Sequence, residues 1–114
     1  MVKALCTPCH RRTPEWLAEQ VTAFQDSVWL LRRRPGLTIA SVHEAIMKEG
    51  EKEEANKQSL RETRDLIRKS QWHWDMAASE KSMGFHNPTL VLTTLGQSID
   101  LAHQAIAASQ QAGD

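Results

Sequence analysis

The sequence predicts an all-α protein. The composition is rich in Ala, Leu, Gln and Glu, which favours helix. Apolar residues recur at three- and four-residue intervals through most of the chain, and no stretch shows the alternation of a strand. The 114 residues are one domain's worth of chain, able to bury a modest core. The expected architecture is a short lead over 1–12 followed by a helical region over 13–114. That region reads as about four helices, roughly 14–34, 38–49, 51–83 and 88–110. Two of them are long, and they pack as an antiparallel, dimer-forming bundle.

The elements follow in order. Thr13-Pro14-Glu15 is a helix start: a threonine N-cap, proline at the first helical position and an acid in the first turn. Leu17, Val21, Phe24, Val28 and Leu31 then mark one face. Arg32-Arg33-Arg34 suits a C-terminal end, and Pro35-Gly36 is read as the stop. Thr38 restarts a shorter helix through Ile39, Val42 and Ile46, ending near Gly50. The segment 51–69 is heavily charged and reads as a solvated face with i,i+4 pairs. Leu60, Ile67 and Trp74 follow one another at sevenfold spacing beneath it, and the helix is expected to run to Met83 and stop at Gly84. Asn87-Pro88 opens the last helix, with Leu92, Leu95, Ile99, Ala102 and Ile106 as its buried stripe. Heptad-like seams of this kind suit long helices packed on each other or on a second subunit.

Charge excludes some partners. Lys plus Arg equals Asp plus Glu at 14 each, which gives no pull toward nucleic acid or an anionic membrane. No run approaches the roughly 18 apolar residues of a membrane span. Met1 stands just before Cys6 with no apolar stretch between them, so no signal peptide is read here.

The chemistry sits in Cys6-Thr7-Pro8-Cys9-His10, a C-x-x-C-H pentapeptide. Two thiols at this spacing can each add across a haem vinyl group, and the histidine after them can ligate the iron. No other cysteine is present, so both thiols serve this one site or none. A zinc site and a thioredoxin-like redox pair compete for the same residues. Zinc ribbons bring a second Cys or His pair, and redox C-x-x-C motifs follow a strand, so haem leads. Attachment of haem to such a motif occurs outside the cytoplasm. The reading is therefore a C-terminal piece of a longer exported protein.

A second axial ligand would come from another histidine. His43 reads as a packing or surface residue, His73 as exposed beside two buried indoles, Trp72 and Trp74, and His103 as solvent-facing. His86 stands apart, in the turn Gly84-Phe85-His86-Asn87-Pro88 before a helix cap, where an imidazole can project rigidly; it reads equally as an iron ligand and as a structural turn residue. Trp72 and Trp74 read as core or interface, and Met76 and Met83 as flexible filler.

The string Ile67-Arg68-Lys69-Ser70-Gln71-Trp72-His73-Trp74-Asp75, then Phe85-His86-Asn87-Pro88, then Leu95-Gly96-Gln97-Ser98-Ile99-Asp100, resembles a known family. It is similar to the C-terminal part of the ammonia-forming cytochrome c nitrite reductases, pentahaem periplasmic enzymes, and the resemblance spans essentially the whole chain. It implies that Cys6 and Cys9 hold the last of five c-type haems by thioethers, with His10 as proximal iron ligand. It implies that His86 is the distal ligand of the neighbouring haem, and that the later helices form a homodimer. It further implies the upstream part of the same enzyme, and a quinol dehydrogenase or a cytochrome as electron donor. The parent substrate is then nitrite, reduced by six electrons to ammonium.

In that family the catalytic haem is ligated by lysine from a C-x-x-C-K motif, beside an arginine, a tyrosine, a histidine and a calcium site. This chain has no C-x-x-C-K and no tyrosine, so no catalytic residue and no calcium site is assigned to it. The isolated chain is expected to be inactive. A stand-alone monohaem electron carrier and a haem-free helical interaction fragment are the rival readings.

Overall fold

The computed structural model describes residues 2–52 and 55–113. Among them there are helices and turns only, in the order α1 (Val2–Leu5), α2 (Pro14–Gly50), α3 (Lys57–Ala78) and α4 (Pro88–Gly113). The molecule is a rod of 64 × 16 × 16 Å. Its length follows from α2, whose 37 residues span about 55 Å at about 1.5 Å each.

Two clusters form the core. Ile39, Val42 and Ile46 of α2 meet Ile67 of α3 and Ala105 of α4. Val28 of α2 meets Ala77 of α3 with Val91 and Leu95 of α4. Residue numbers rise along α2 and α4 where they fall along α3, so α3 runs antiparallel to both. Trp74 packs on both clusters and joins them. The α3–α4 turn is thereby set beside the first half of α2.

Polar side chains cap the three long helices, and the caps at Thr13 and Asn87 are those the sequence predicts. Thr13 caps α2 by accepting the Trp16 N–H at 3.2 Å, with Pro14 as first helical residue. Asn56 caps α3 by accepting the N–H groups of Gln58 and Ser59, each at 3.1 Å. The Asn87 side chain accepts the Leu90 N–H at 3.2 Å where α4 begins.

The stop at Pro35-Gly36 and the restart at Thr38 are not found: the expected helices 14–34 and 38–49 are one helix. Proline removes a single backbone donor, and here its ring is fully buried in the core. Near the opened turn, the Arg32 carbonyl accepts the Trp74 indole N–H at 2.7 Å. Gly36 leaves room for that indole, since a Cβ there would stand 3.2 Å from Trp74 Nε1. Proline and glycine together form the notch that receives the ring.

The expected helix 51–83 is shorter at both ends. It starts at Lys57 after the Asn56 cap; Glu53 and Glu54 lie outside the described residues. It ends at Ala78, where Ser79 N–H bonds back to the Asp75 carbonyl and the chain enters a turn through Met83 and Gly84, with φ of 51° and 84°. The last helix runs to Gly113, past the expected 110.

The buried stripe of α4 is also displaced. Val91, Thr94, Leu95, Ser98, Ala102, Ala105 and Ala108 are buried, Ile99 and Ile106 are half-buried, and Leu92 is exposed. Close approach of α3 and α4 selects small residues there. The Ser70 hydroxyl donates to the Ser98 carbonyl at 2.7 Å, and the Ser98 hydroxyl returns the bond to the Ser70 carbonyl at 2.9 Å. On α2, Leu31 is exposed rather than buried. Trp72 is exposed too, so His73 has one packed indole beside it, not two. Met76 is exposed and fills no core gap.

Candidate haem c attachment site

The pentapeptide is folded by the short helix in front of it. Cys6 N–H continues α1 by donating to the Val2 carbonyl at 2.9 Å, and the Thr7 hydroxyl donates to the Lys3 carbonyl. The Cys6 carbonyl then accepts two donors, Cys9 N–H at 3.2 Å and His10 N–H at 2.9 Å. One oxygen thus gathers both cysteines and the histidine onto a single turn. Cys6 is half-buried; Cys9 and His10 are exposed.

Both thiols are free. Among the described residues no three His, Cys, Asp or Glu side chains are gathered as a metal site, so the turn lacks the closed ligand set of structural zinc. Two free thiols and one exposed imidazole on a turn fit a covalently held haem instead.

A cavity of about 310 Å³ lies against this turn. Val2, Leu5, Val21 and Phe85 supply apolar wall, and Cys6 and His86 both face it. The antiparallel arrangement explains the meeting: the first half of α2 lies between the N-terminal turn and the α3–α4 turn. Residues 80 positions apart in sequence share one wall.

The exposed His86 is held by its backbone. Glu80 accepts the Ser82 N–H at 3.0 Å, the Ser82 hydroxyl at 2.6 Å and the Gly84 N–H at 2.5 Å. The Ser82 oxygen in turn accepts the His86 N–H at 3.0 Å. These bonds hold the Glu80 carboxyl below its ordinary range: the Ser82 hydroxyl first, then the N–H groups of Ser82 and Gly84, with the His86 charge adding a smaller pull. Gln25 of α2 donates its side-chain amide to the Ser82 carbonyl at 3.0 Å and moors the turn.

The other histidines stay apart from this site. His43 Nε2 pairs with Gln71 Oε1 at 3.0 Å across α2 and α3. His73 Nδ1 bonds to the Lys69 carbonyl one turn back, at 2.8 Å. His103 lines a separate pocket of about 230 Å³ beside Arg34 and Pro35. Glu80 and Ser82 escaped the sequence reading. Their signal is a carboxylate two residues before a serine and four before a glycine, the spacing that lets one side chain collect successive turn donors.

Comparison with known proteins shows the family of the chain. The family model of cytochrome c552 matches residues 1–113. A cytochrome c nitrite reductase subunit NrfA from Nitratidesulfovibrio vulgaris is 31% identical over 112 residues, covering 94% of this chain and 21% of its own. A cytochrome c-552 from Parabacteroides distasonis is 30% identical over 105 residues, covering 92% of this chain and 21% of its own. The solved structure of cytochrome c nitrite reductase from Desulfovibrio desulfuricans, described for the two calcium sites of its catalytic subunit NrfA, superposes with a TM-score of 0.86. It is 28% identical and covers 94% of this chain and 24% of that one. The chain spans about a fifth of the length of the curated relatives, in their C-terminal part. This all-helical chain, with its open C-x-x-C-H turn, belongs to the cytochrome c552 family.

Proposed function

We propose that this chain is the C-terminal electron-transfer and subunit-pairing part of a periplasmic multihaem nitrite reductase. The observation that carries the reading is the shared cavity of Cys6 and His86, in a chain matched throughout by the cytochrome c552 family. Cys6 and Cys9 hold one haem c by thioethers, and His10 ligates its iron. His86 serves as distal ligand of the neighbouring haem. When bound, the haem supplies a one-electron iron centre whose potential follows its axial ligands and its burial.

The chain's own residues do the positioning. The Cys6 carbonyl holds the attachment turn closed, and the Glu80–Ser82 contacts fix the backbone of His86. Because the two ligand-bearing turns share a wall, groups held by each are brought close, as electron transfer between haems requires. Val2, Leu5, Val21 and Phe85 keep that wall apolar.

Pairing with a second copy fits the outer side of α2. Trp29 is 48% exposed, Leu37 62% and Met47 69%, all turned away from the core. Burying such side chains contributes roughly 1.5–3 kcal/mol each when complete. The lysine-ligated catalytic haem and the calcium site belong to the upstream part of the enzyme, and a quinol dehydrogenase or a cytochrome delivers the electrons.

Ammonium production from nitrite with a reduced viologen dye tests the reading. The haem-loaded parent protein should form ammonium, and the 114-residue chain alone should form none. Nitrite turnover by the chain alone contradicts the assignment of catalysis to the upstream part.

A further inference from the structure

The turn over 79–87 is more elaborate than a connection between two helices requires. One carboxylate collects three donors within four residues, at 2.5–3.0 Å. It does so while Met83 and Gly84 both adopt positive φ, a conformation that a methionine rarely takes. Gly84 is wedged in place: a Cβ there would lie 3.1 Å from Val91 and 3.2 Å from Phe24. The last link is the Ser82 hydroxyl, which donates to Glu80 and with the same oxygen accepts the His86 N–H. A chain of bonds therefore runs from a fixed negative charge to the backbone of the one histidine that shares a cavity with Cys6.

We infer that Glu80 is the positioning residue of the His86 ligand, acting through the Ser82 hydroxyl to fix the direction in which the imidazole leaves the turn. The inference rests on the reading of His86 as an iron ligand. Glu80 touches neither iron nor substrate. Its carboxylate polarises the Ser82 hydroxyl, and charge-assisted bonds of this kind are about twice as strong as neutral ones. The hydroxyl holds the His86 amide, so the peptide plane from which the His86 Cα departs is held in one orientation. Ligating histidines depend on outer contacts, most often at the second ring N–H, and losing one typically costs about tenfold or more in binding; here the contact holds the backbone that carries the ring.

The test uses the haem-loaded protein that carries this chain, with Glu80→Gln, Ser82→Ala and His86→Ala. Carbon monoxide binding to the reduced protein reads how often the imidazole releases its iron; electron paramagnetic resonance reads the low-spin fraction. Glu80→Gln is nearly isosteric, but it presents an amide to donors that need an acceptor. Glu80→Gln and Ser82→Ala should each raise the rate of carbon monoxide binding about tenfold, with His86→Ala higher still. Lower thermal stability in Glu80→Gln and Ser82→Ala, with unchanged carbon monoxide binding and spin state, assigns Glu80 to the fold alone and overturns the inference. If His86→Ala itself leaves the spectra unchanged, the ligand reading fails and takes the inference with it.

Discussion

The Trp74 indole N–H donates to the backbone carbonyl of Arg32 at 2.7 Å, across the groove between α3 and α2. The Arg32 guanidinium lies over the same ring, 5.7 Å from its centroid. Because Trp74 also packs on both core clusters, this contact sets the register of the long helices. Trp74→Phe keeps one aromatic ring and removes the donor with part of the indole's bulk, so it should cost at least about 1 kcal/mol of unfolding free energy. Trp74→Ala should cost about 3–5 kcal/mol. Denaturant unfolding distinguishes the two. A Trp74→Phe variant as stable as the parent would deny the hydrogen bond any separate role.

The reciprocal Ser70–Ser98 bonds make a coupled pair, both residues being fully buried. Either Ser→Ala change should cost about 1 kcal/mol. The double variant should cost less than the sum, because the two hydroxyls also stand 3.3 Å apart and share one pocket. A double-mutant cycle by thermal unfolding measures the coupling.

Two glycines should respond in opposite directions. Gly84 has φ of 84° and no room for a Cβ, so Gly84→Ala should destabilise by more than about 1 kcal/mol. Gly96 lies inside α4 with nothing within 4 Å of a Cβ, so Gly96→Ala should stabilise by about 0.5–1 kcal/mol. Melting temperatures of the two variants check both signs.

Acid should loosen the 79–87 turn. Glu80 has its carboxyl lowered by the folded-state bonds, chiefly that of Ser82. A lowered folded value means the stabilisation is fully present above the unfolded carboxyl's range and is lost as pH falls through the folded value. His86 and Lys81 are the other titratable groups on the same cavity. Amide exchange at Gly84 should therefore accelerate as pH drops below the usual carboxylate range, beyond its intrinsic pH dependence. In Glu80→Gln that additional acid dependence should vanish.

The helical class, the caps at Thr13 and Asn87 and the buried faces of Ile39, Val42, Ile46 and Ile67 were legible in the sequence, because local periodicity and end chemistry decide them. Pro35-Gly36 was not, because its meaning depends on Trp74, a residue 38 or more positions away that fills the notch. The α4 stripe was misread toward its larger residues, since only the close α3–α4 approach reveals that Ser98 and Ala105 occupy the interior. In the site, the C-x-x-C-H pentapeptide and the place of His86 in the turn before α4 were legible in the sequence. The Glu80–Ser82 contacts and the cavity common to Cys6 and His86 needed the fold, because they depend on how turn donors and helices meet in space.

Peptide mass analysis after acid–acetone extraction decides whether the pentapeptide holds haem covalently. The protein is made in its haem-loaded parent form, extracted and digested. The peptide carrying Cys6 and Cys9 should retain the mass of one haem, and Cys6→Ser with Cys9→Ser should abolish it. Recovery of that peptide with two unmodified thiols from haem-loaded protein would contradict attachment at Cys6 and Cys9.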